Sequence, residues 1–371
     1  MRRYEVDSVR SIALILLIFY HVIISFIPET KALAFIVNNE KDIFVDLLVT
    51  LSQALNIWRI PILFFIGGMA LSFSSKKRSN KELIKERLKR IMLPLTFCTF
   101  FISPIFFIIH QNYYNSDFFY LPIPGYLWFL NSIFYYSLII LPIISLRKRN
   151  NNLFNFLNNL LRNKFIMLFL FSAPMILIAG IFNPKEYSNF VNFAATPFLP
   201  LGFGFNIHGF FVGLLCFLIG FLFASSGDLF WNSVRNIKFI TLILAITLFT
   251  QRLMLYLLPV WEGNPGAYPL VVSNMLIAFE AVCWMLSFTG FASSFLNKKN
   301  RVLTYMTAAI FPMYIFHIPV QNFIARFVYP LSIAPILKFI TVFSVTILVC
   351  IFLYEIVKRL KGFRIVFGIK P

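Results

Sequence analysis

Apolar runs long enough to cross a bilayer recur ten times along this chain of 371 residues. They fall at about 11–28, 54–74, 91–109, 126–146, 165–182, 207–225, 238–258, 270–290, 303–323 and 336–357. A hydrocarbon core of about 30 Å takes roughly 20 helical residues to span. Within lipid every backbone N–H and C=O must find a partner in the protein, and a helix supplies these partners within each segment. The pattern predicts an all-α, polytopic transmembrane bundle of about ten spans, forming one domain over residues 1–371. Composition agrees, with 59% hydrophobic and only 13% charged residues, against roughly a quarter charged in a soluble domain. The first run follows a basic head and has no small-residue cleavage site behind it, so it is expected to stay as a signal-anchor.

The net charge of +19 would point to nucleic acid in a soluble protein. Here its placement matters more. Most of the 33 lysines and arginines fall in alternate connections: Arg2 to Arg10, Lys76 to Arg90, Arg147 to Lys164, Arg235 and Lys238, Lys298 to Arg301, and Lys358 to Lys370. The opposite connections hold only Lys31, Lys41, Lys185, Arg326 and Lys338. By the positive-inside rule both termini are cytoplasmic, and the lipid bilayer rather than nucleic acid is the partner of this charge. The densest cluster makes a basic cytoplasmic loop at 75–92. Polar and apolar residues repeat at helical spacing in NNNLFNFLNNLLRNK, which reads as an interfacial helix near 150–164. ATPFLPLGFGFN, at 195–206, has the turn chemistry of a loop or re-entrant piece.

Several chemistries lack support. Cys98, Cys216, Cys283 and Cys350 are far apart, with neither metal-ligand spacing nor a disulfide framework, and no metal site is expected. The phosphate-binding G-x-x-x-x-G-K-[ST], the serine elbow G-x-S-x-G and the zinc motif H-E-x-x-H are not found.

Ionisable groups inside spans are costly in lipid, so each marks a candidate site. His21 lies well within the first span, and Arg10 precedes it by eleven residues. At 100° per residue that separation falls within about 20° of three full turns, so both side chains lie on one face, about 16 Å apart along the axis. Asp7 is about 40° off the same stripe. Arg59 opens the apolar part of the second span, Glu280 is midway along the eighth and His317 lies in the ninth. Each also has an ordinary reading: Arg59 reaching the outer interface, Glu280 pairing with Arg252, a histidine hydrogen-bonded to its neighbour. Arg87 and Arg90, at i and i+3, form one helical face at the membrane surface. They suit either anionic lipid or the phosphates of a cytoplasmic donor such as acyl-CoA.

Together these residues resemble the membrane-bound acyltransferase-3 family. The family's D-x-x-R head with a histidine eleven residues after the arginine is matched by Asp7, Arg10 and His21. Its R-x-P-x-F-F-x-x-S-G resembles Arg59 to Gly68, with Gly67 where the serine usually stands. Its R-x-x-R matches Arg87 to Arg90, and its Y-x-x-H is similar to Tyr314 to His317. Its H-L-W-F-L looks like Tyr126 to Leu130, with Trp128 kept and Tyr126 in place of the histidine. FPMYIFHIPVQ (311–321) also resembles the branch containing periplasmic glucan succinyltransferases.

The resemblance implies an O-acyltransferase, one that transfers groups other than aminoacyl groups, in a bacterial cytoplasmic membrane. It would move an acetyl or succinyl group from cytoplasmic acyl-CoA to a hydroxyl of an extracytoplasmic carbohydrate acceptor. Acyl-CoA enters as co-substrate, and no resident cofactor is expected. His21 would be the base that accepts the hydroxyl proton. Arg10 would orient the donor and Asp7 would hold Arg10. Arg87 and Arg90 would bind the donor, while Arg59, Glu280, His317 and Trp128 would serve the acceptor or support the site. The competing class is a proton-coupled transporter or exporter of a polysaccharide or lipid-linked sugar, which also suits intramembrane Arg, Glu and His. No internal repeat of broken helices supports it. A third reading is an assembly subunit without chemistry of its own.

Overall fold

The computed structural model describes residues 3–27, 36–149, 151–190 and 206–369, and among these there are helices but no strand. Among the described residues ten helices are long and apolar enough to cross a membrane. In order the chain runs through α1 (Tyr4–Ile24), α2 (Ile43–Ser75), α3 (Asn80–Tyr113) and α4 (Gly125–Arg149). A short α5 (Asn151–Leu160) follows, at the place expected for the interfacial helix. Then come α6 (Lys164–Phe182), α7 (Ile207–Ser225), α8 (Asp228–Trp261), α9 (Leu270–Phe295), α10 (Arg301–Val328) and α11 (Pro335–Arg359).

Every expected span has its helix, but several helices overrun the apolar run. The first begins at Tyr4, so Asp7 and Arg10 are on α1 itself. The second begins at Ile43, eleven residues ahead of the apolar run. The basic stretch expected as a loop at 75–92 is mostly helical. Ser79 and Glu82 form a reciprocal capping box that starts α3 at once. The Lys, Glu, Leu and Arg residues that follow are good helix formers. Hydropathy finds where a helix meets lipid, not where its hydrogen bonding stops. Of the loop expected at 195–206, residues 195–205 lie outside the described ones, and Asn206 caps α7 through Gly209 N–H at 2.9 Å.

The basic segments assigned to one side do meet at one end of the bundle. Arg3 pairs with Asp228. Ser8 Oγ donates to the Leu296 carbonyl at 2.9 Å. Lys148 Nζ donates to the Arg78 carbonyl at 2.8 Å, and Asn80 to Ser145 Oγ at 2.7 Å.

The tightest crossing is between α2 and α7. A Cβ on Gly68 would overlap the Phe217 carbonyl oxygen, and one on Gly220 would overlap that of Phe65. Paired glycines let the two backbones touch, which is how helices gain packing where lipid offers no hydrophobic drive. Two π-helical turns, Leu88–Met92 in α3 and Leu253–Leu257 in α8, each stand just ahead of a proline, Pro94 and Pro259. Prolines also interrupt the helices that carry the chemistry: Pro61 in α2, and Pro312 and Pro319 in α10. α1 is central, packed against α2, α9, α10 and α11.

Candidate active site

The seam between α1 and α10 brings His21 and His317 together. Their ring centroids are 5.3 Å apart, tilted by 52°. His317 is fully buried. His21 is half-buried, with its Nδ1 enclosed and without a partner in the protein. The Nδ1 of His317 lies 2.6 Å from the Tyr314 carbonyl oxygen. A carbonyl only accepts, so this nitrogen carries the proton and Nε2 presents a lone pair. That Nε2 is buried and has no partner in the protein.

Proline explains the tyrosine that stands where the family pattern has histidine. Pro319 has no N–H, which leaves the carbonyl four residues earlier, that of Ile315, without its helical partner. Tyr126 Oη donates to that carbonyl at 2.7 Å. In return Tyr314 Oη donates to the Tyr126 carbonyl at 2.7 Å. The Tyr126 ring meets His317 edge-on at 5.7 Å. Tyr126 therefore ties α4 to the proline-interrupted part of α10 and walls one side of His317. Trp128, two residues on, lies against Phe64 and Phe129.

Arg59 comes to the same centre from α2. Its guanidinium lies over the ring of Tyr20, 3.6 Å from the centroid, and its Nη2 donates to Asn56 Oδ1 at 3.1 Å. It is 4% exposed, and its Nε and Nη1 have no partner. Among the described residues no carboxylate pairs with it. The Tyr20 ring that it covers in turn meets the His21 ring edge-on, with centroids 6.0 Å apart. A buried cation without a counter-ion is expensive, and it is satisfied by an anion that arrives or develops beside it.

Glu280 has a different place. Arg252 holds it in a buried fork, Nε to Oε2 at 2.7 Å and Nη2 to Oε1 at 3.1 Å. Trp284 Nε1 adds a third bond at 3.2 Å, and Arg252 also donates to the Gln53 carbonyl at 3.1 Å. Trp284 stacks on Trp58, the neighbour of Arg59, at 6.3 Å. This is the ordinary reading of Glu280: an ion pair joining α8, α9 and α2. A transporter's titrating carboxylate would need more freedom.

At the basic end Asp7 and Arg10 form an ion pair of 3.1 Å, three turns from His21 on α1. Arg87 and Arg90 diverge. The wide turn Leu88–Met92 between and beyond them turns each residue through less than 100°, so an i, i+3 pair spreads apart. Arg87 folds back into a crevice with Leu71, Leu83, Ser137 and Leu141, its Nε enclosed and unpartnered. Arg90 points outward, 45% exposed, and pairs with Glu86 at 3.0 Å. A separate cavity of about 580 Å³ opens between the start of α10 and the end of α11, lined by Lys299, Arg301, Tyr305, Tyr354 and Lys358. Nothing in the sequence singled it out, because its cations come from segments almost sixty residues apart.

The geometry defines a membrane-embedded helical bundle with two facing imidazoles and an uncompensated guanidinium at its centre. The profile of the acyltransferase-3 family, described as an acyltransferase domain, matches residues 3–355. The chain belongs to that family and is a multi-pass membrane acyltransferase. No curated protein and no solved structure matches it significantly.

Proposed function

We propose that this protein moves an acetyl or succinyl group from cytoplasmic acyl-CoA to a hydroxyl of a carbohydrate on the far side of the membrane. The observation that carries this reading is the unpaired guanidinium of Arg59 beside the imidazoles of His21 and His317. In the step proposed, a sugar hydroxyl oxygen attacks the thioester carbonyl carbon as His21 takes its proton. The C–O bond forms, and the carbonyl π electrons move onto oxygen. Arg59 Nη1 and Nε bind that developing oxyanion, where a fixed donor in a dry site is most effective. Collapse breaks the C–S bond, and the thiolate of CoA takes the proton back from the His21 imidazolium. The products are the sugar ester and CoA thiol.

The segregation of basic residues supports a donor on the basic side and both termini in the cytoplasm. Arg87 would hold donor phosphates by turning out of its crevice, with Arg90 as a second cation at the rim. Asp7 fixes Arg10 on the path between this surface and His21.

The test is CoA-thiol release and ester formation by the purified protein in nanodiscs, with acetyl-CoA or succinyl-CoA and an oligosaccharide. The Arg87→Ala variant should raise the donor KM about tenfold, the scale of one charge-assisted contact. Arg90→Ala should raise it less, because Arg90 is exposed and already paired. A stable wild type that uses neither donor would defeat the reading. A donor KM that responds instead to Lys299→Ala with Arg301→Ala would move the donor seat to the cavity between α10 and α11.

A further inference from the structure

Gln321 lies one turn beyond His317 on the same face of α10, about 6 Å further along the axis. It is 2% exposed. Its Nε2 donates to the His21 carbonyl at 2.9 Å, so the amide sits in the seam between α1 and α10. That bond also fixes which way the amide points, since the flipped form would set two oxygens against each other. Its Oε1 is buried and has no partner in the protein. Asn322, the next residue, is by contrast fully used: Oδ1 accepts from Ile36 N–H at 3.2 Å, and Nδ2 donates to the Ile318 carbonyl at 3.0 Å.

One side of the seam therefore offers two hydrogen-bond acceptors a helical turn apart, His317 Nε2 and Gln321 Oε1. Both are buried, and neither can donate at that atom. Two such acceptors match a ligand that brings two donor hydrogens. Resting on the acyl-transfer reading above, we infer that Gln321 binds a second hydroxyl of the acceptor, next to the one that reacts. The acceptor is then a polyol held by at least two hydroxyls, and Gln321 sets that specificity. The reacting hydroxyl lies between the two imidazoles and turns its one hydrogen from His317 Nε2 to His21 as it attacks, while its neighbour donates to Gln321 Oε1. In the orientation proposed above, Gln321 is on the extracytoplasmic side of His317, where such an acceptor enters.

The experiment compares three small acceptors in nanodiscs with acetyl-CoA: cyclohexane-1,2-diol, cyclohexanol and 2-methoxycyclohexanol. The methoxy compound keeps the second oxygen but has no hydrogen to donate from it. Wild type should favour the diol about tenfold or more in kcat/KM over both others, which should be alike. Gln321→Met should abolish the preference by slowing the diol towards the rate of the other two. A purely structural role would lower all rates together and leave the ratio intact, which would overturn the assignment. A methoxy compound as good as the diol would overturn it with no variant needed. Thermal stabilisation by the same compounds reads the site without a donor. If acetyl-CoA is never consumed yet the diol alone stabilises wild type and not Gln321→Met, the donor reading fails and the polyol site stands. If all three stabilise wild type equally, the polyol site fails.

Discussion

The imidazoles of His21 and His317 face each other 5.3 Å apart across the α1–α10 seam, but only His317 has its proton position fixed by a backbone carbonyl. The two rings should therefore respond differently to substitution. His21→Ala removes the proposed base and should cut turnover about 10²–10⁴-fold, with the donor KM unchanged. His317→Ala removes a lone pair that the acceptor uses and should appear first as a raised acceptor KM. Initial rates over a grid of both substrates separate the two effects. Near-normal turnover in folded His21→Ala would remove it from the chemistry.

The Arg252–Glu280 fork makes a prediction about stability rather than catalysis. Glu280→Gln leaves a buried guanidinium without its counter-charge and should cost about 3–5 kcal/mol, as broken buried pairs do. Arg252→Met combined with Glu280→Leu removes both charges and should recover most of that loss. Unfolding temperatures in detergent check the order. The doubly substituted protein should keep acyl transfer, since neither side chain meets the imidazoles.

The α2–α7 crossing sets two neighbouring glycines apart. Alanine at Gly68 or Gly220 would press a methyl into backbone, and overpacking of this kind typically costs about 1–3 kcal/mol or more. Alanine at Gly67 meets side chains alone, the Phe217 ring edge at 3.2 Å, which can give slightly, and Ile133 Cδ1 at 3.7 Å. Folded yield by size-exclusion chromatography should rank Gly67→Ala well above Gly68→Ala. An equal yield for the two would mean that the helices can separate freely.

Outside the spans, Glu40 accepts from the buried Lys338 Nζ at 2.8 Å, and this bond holds its carboxyl below the ordinary value of 4.5. A carboxyl whose pKa is lower in the folded protein stabilises it above the unfolded value. That contribution is lost as pH falls through the folded value. Thermal stability should therefore drop below about pH 4.5 more steeply in wild type than in Glu40→Gln. Parallel curves would show that the pair adds nothing.

Much of this architecture is legible in the sequence because lipid imposes a simple rule. Ten apolar runs gave ten helices, and the charge pattern predicted which connections meet at the basic end. The partnership of Asp7 with Arg10 follows from helical spacing alone, and so does their placement below His21. The contact between His21 and His317 does not, since nothing in one sequence says that α10 packs on α1. The spread of Arg87 and Arg90 was hidden for a local reason: the π turn breaks the 100° step on which the shared face rested. Tyr126 looked like a departure from pattern. Its role was readable in principle from Pro319, but only with the knowledge that α4 lies beside the carbonyl which that proline frees.

The buried atoms at the centre that lack protein partners bear on how this protein can be improved or damaged. Arg59 Nε and Nη1, His21 Nδ1, His317 Nε2 and Gln321 Oε1 each forgo a bond in the interior, at about 1–3 kcal/mol apiece. A fold optimised for endurance would have replaced them with hydrocarbon. Selection for thermal resilience alone should therefore find its gains here first, and every such gain should yield a sturdier enzyme with a lower rate or a weaker hold on its acceptor.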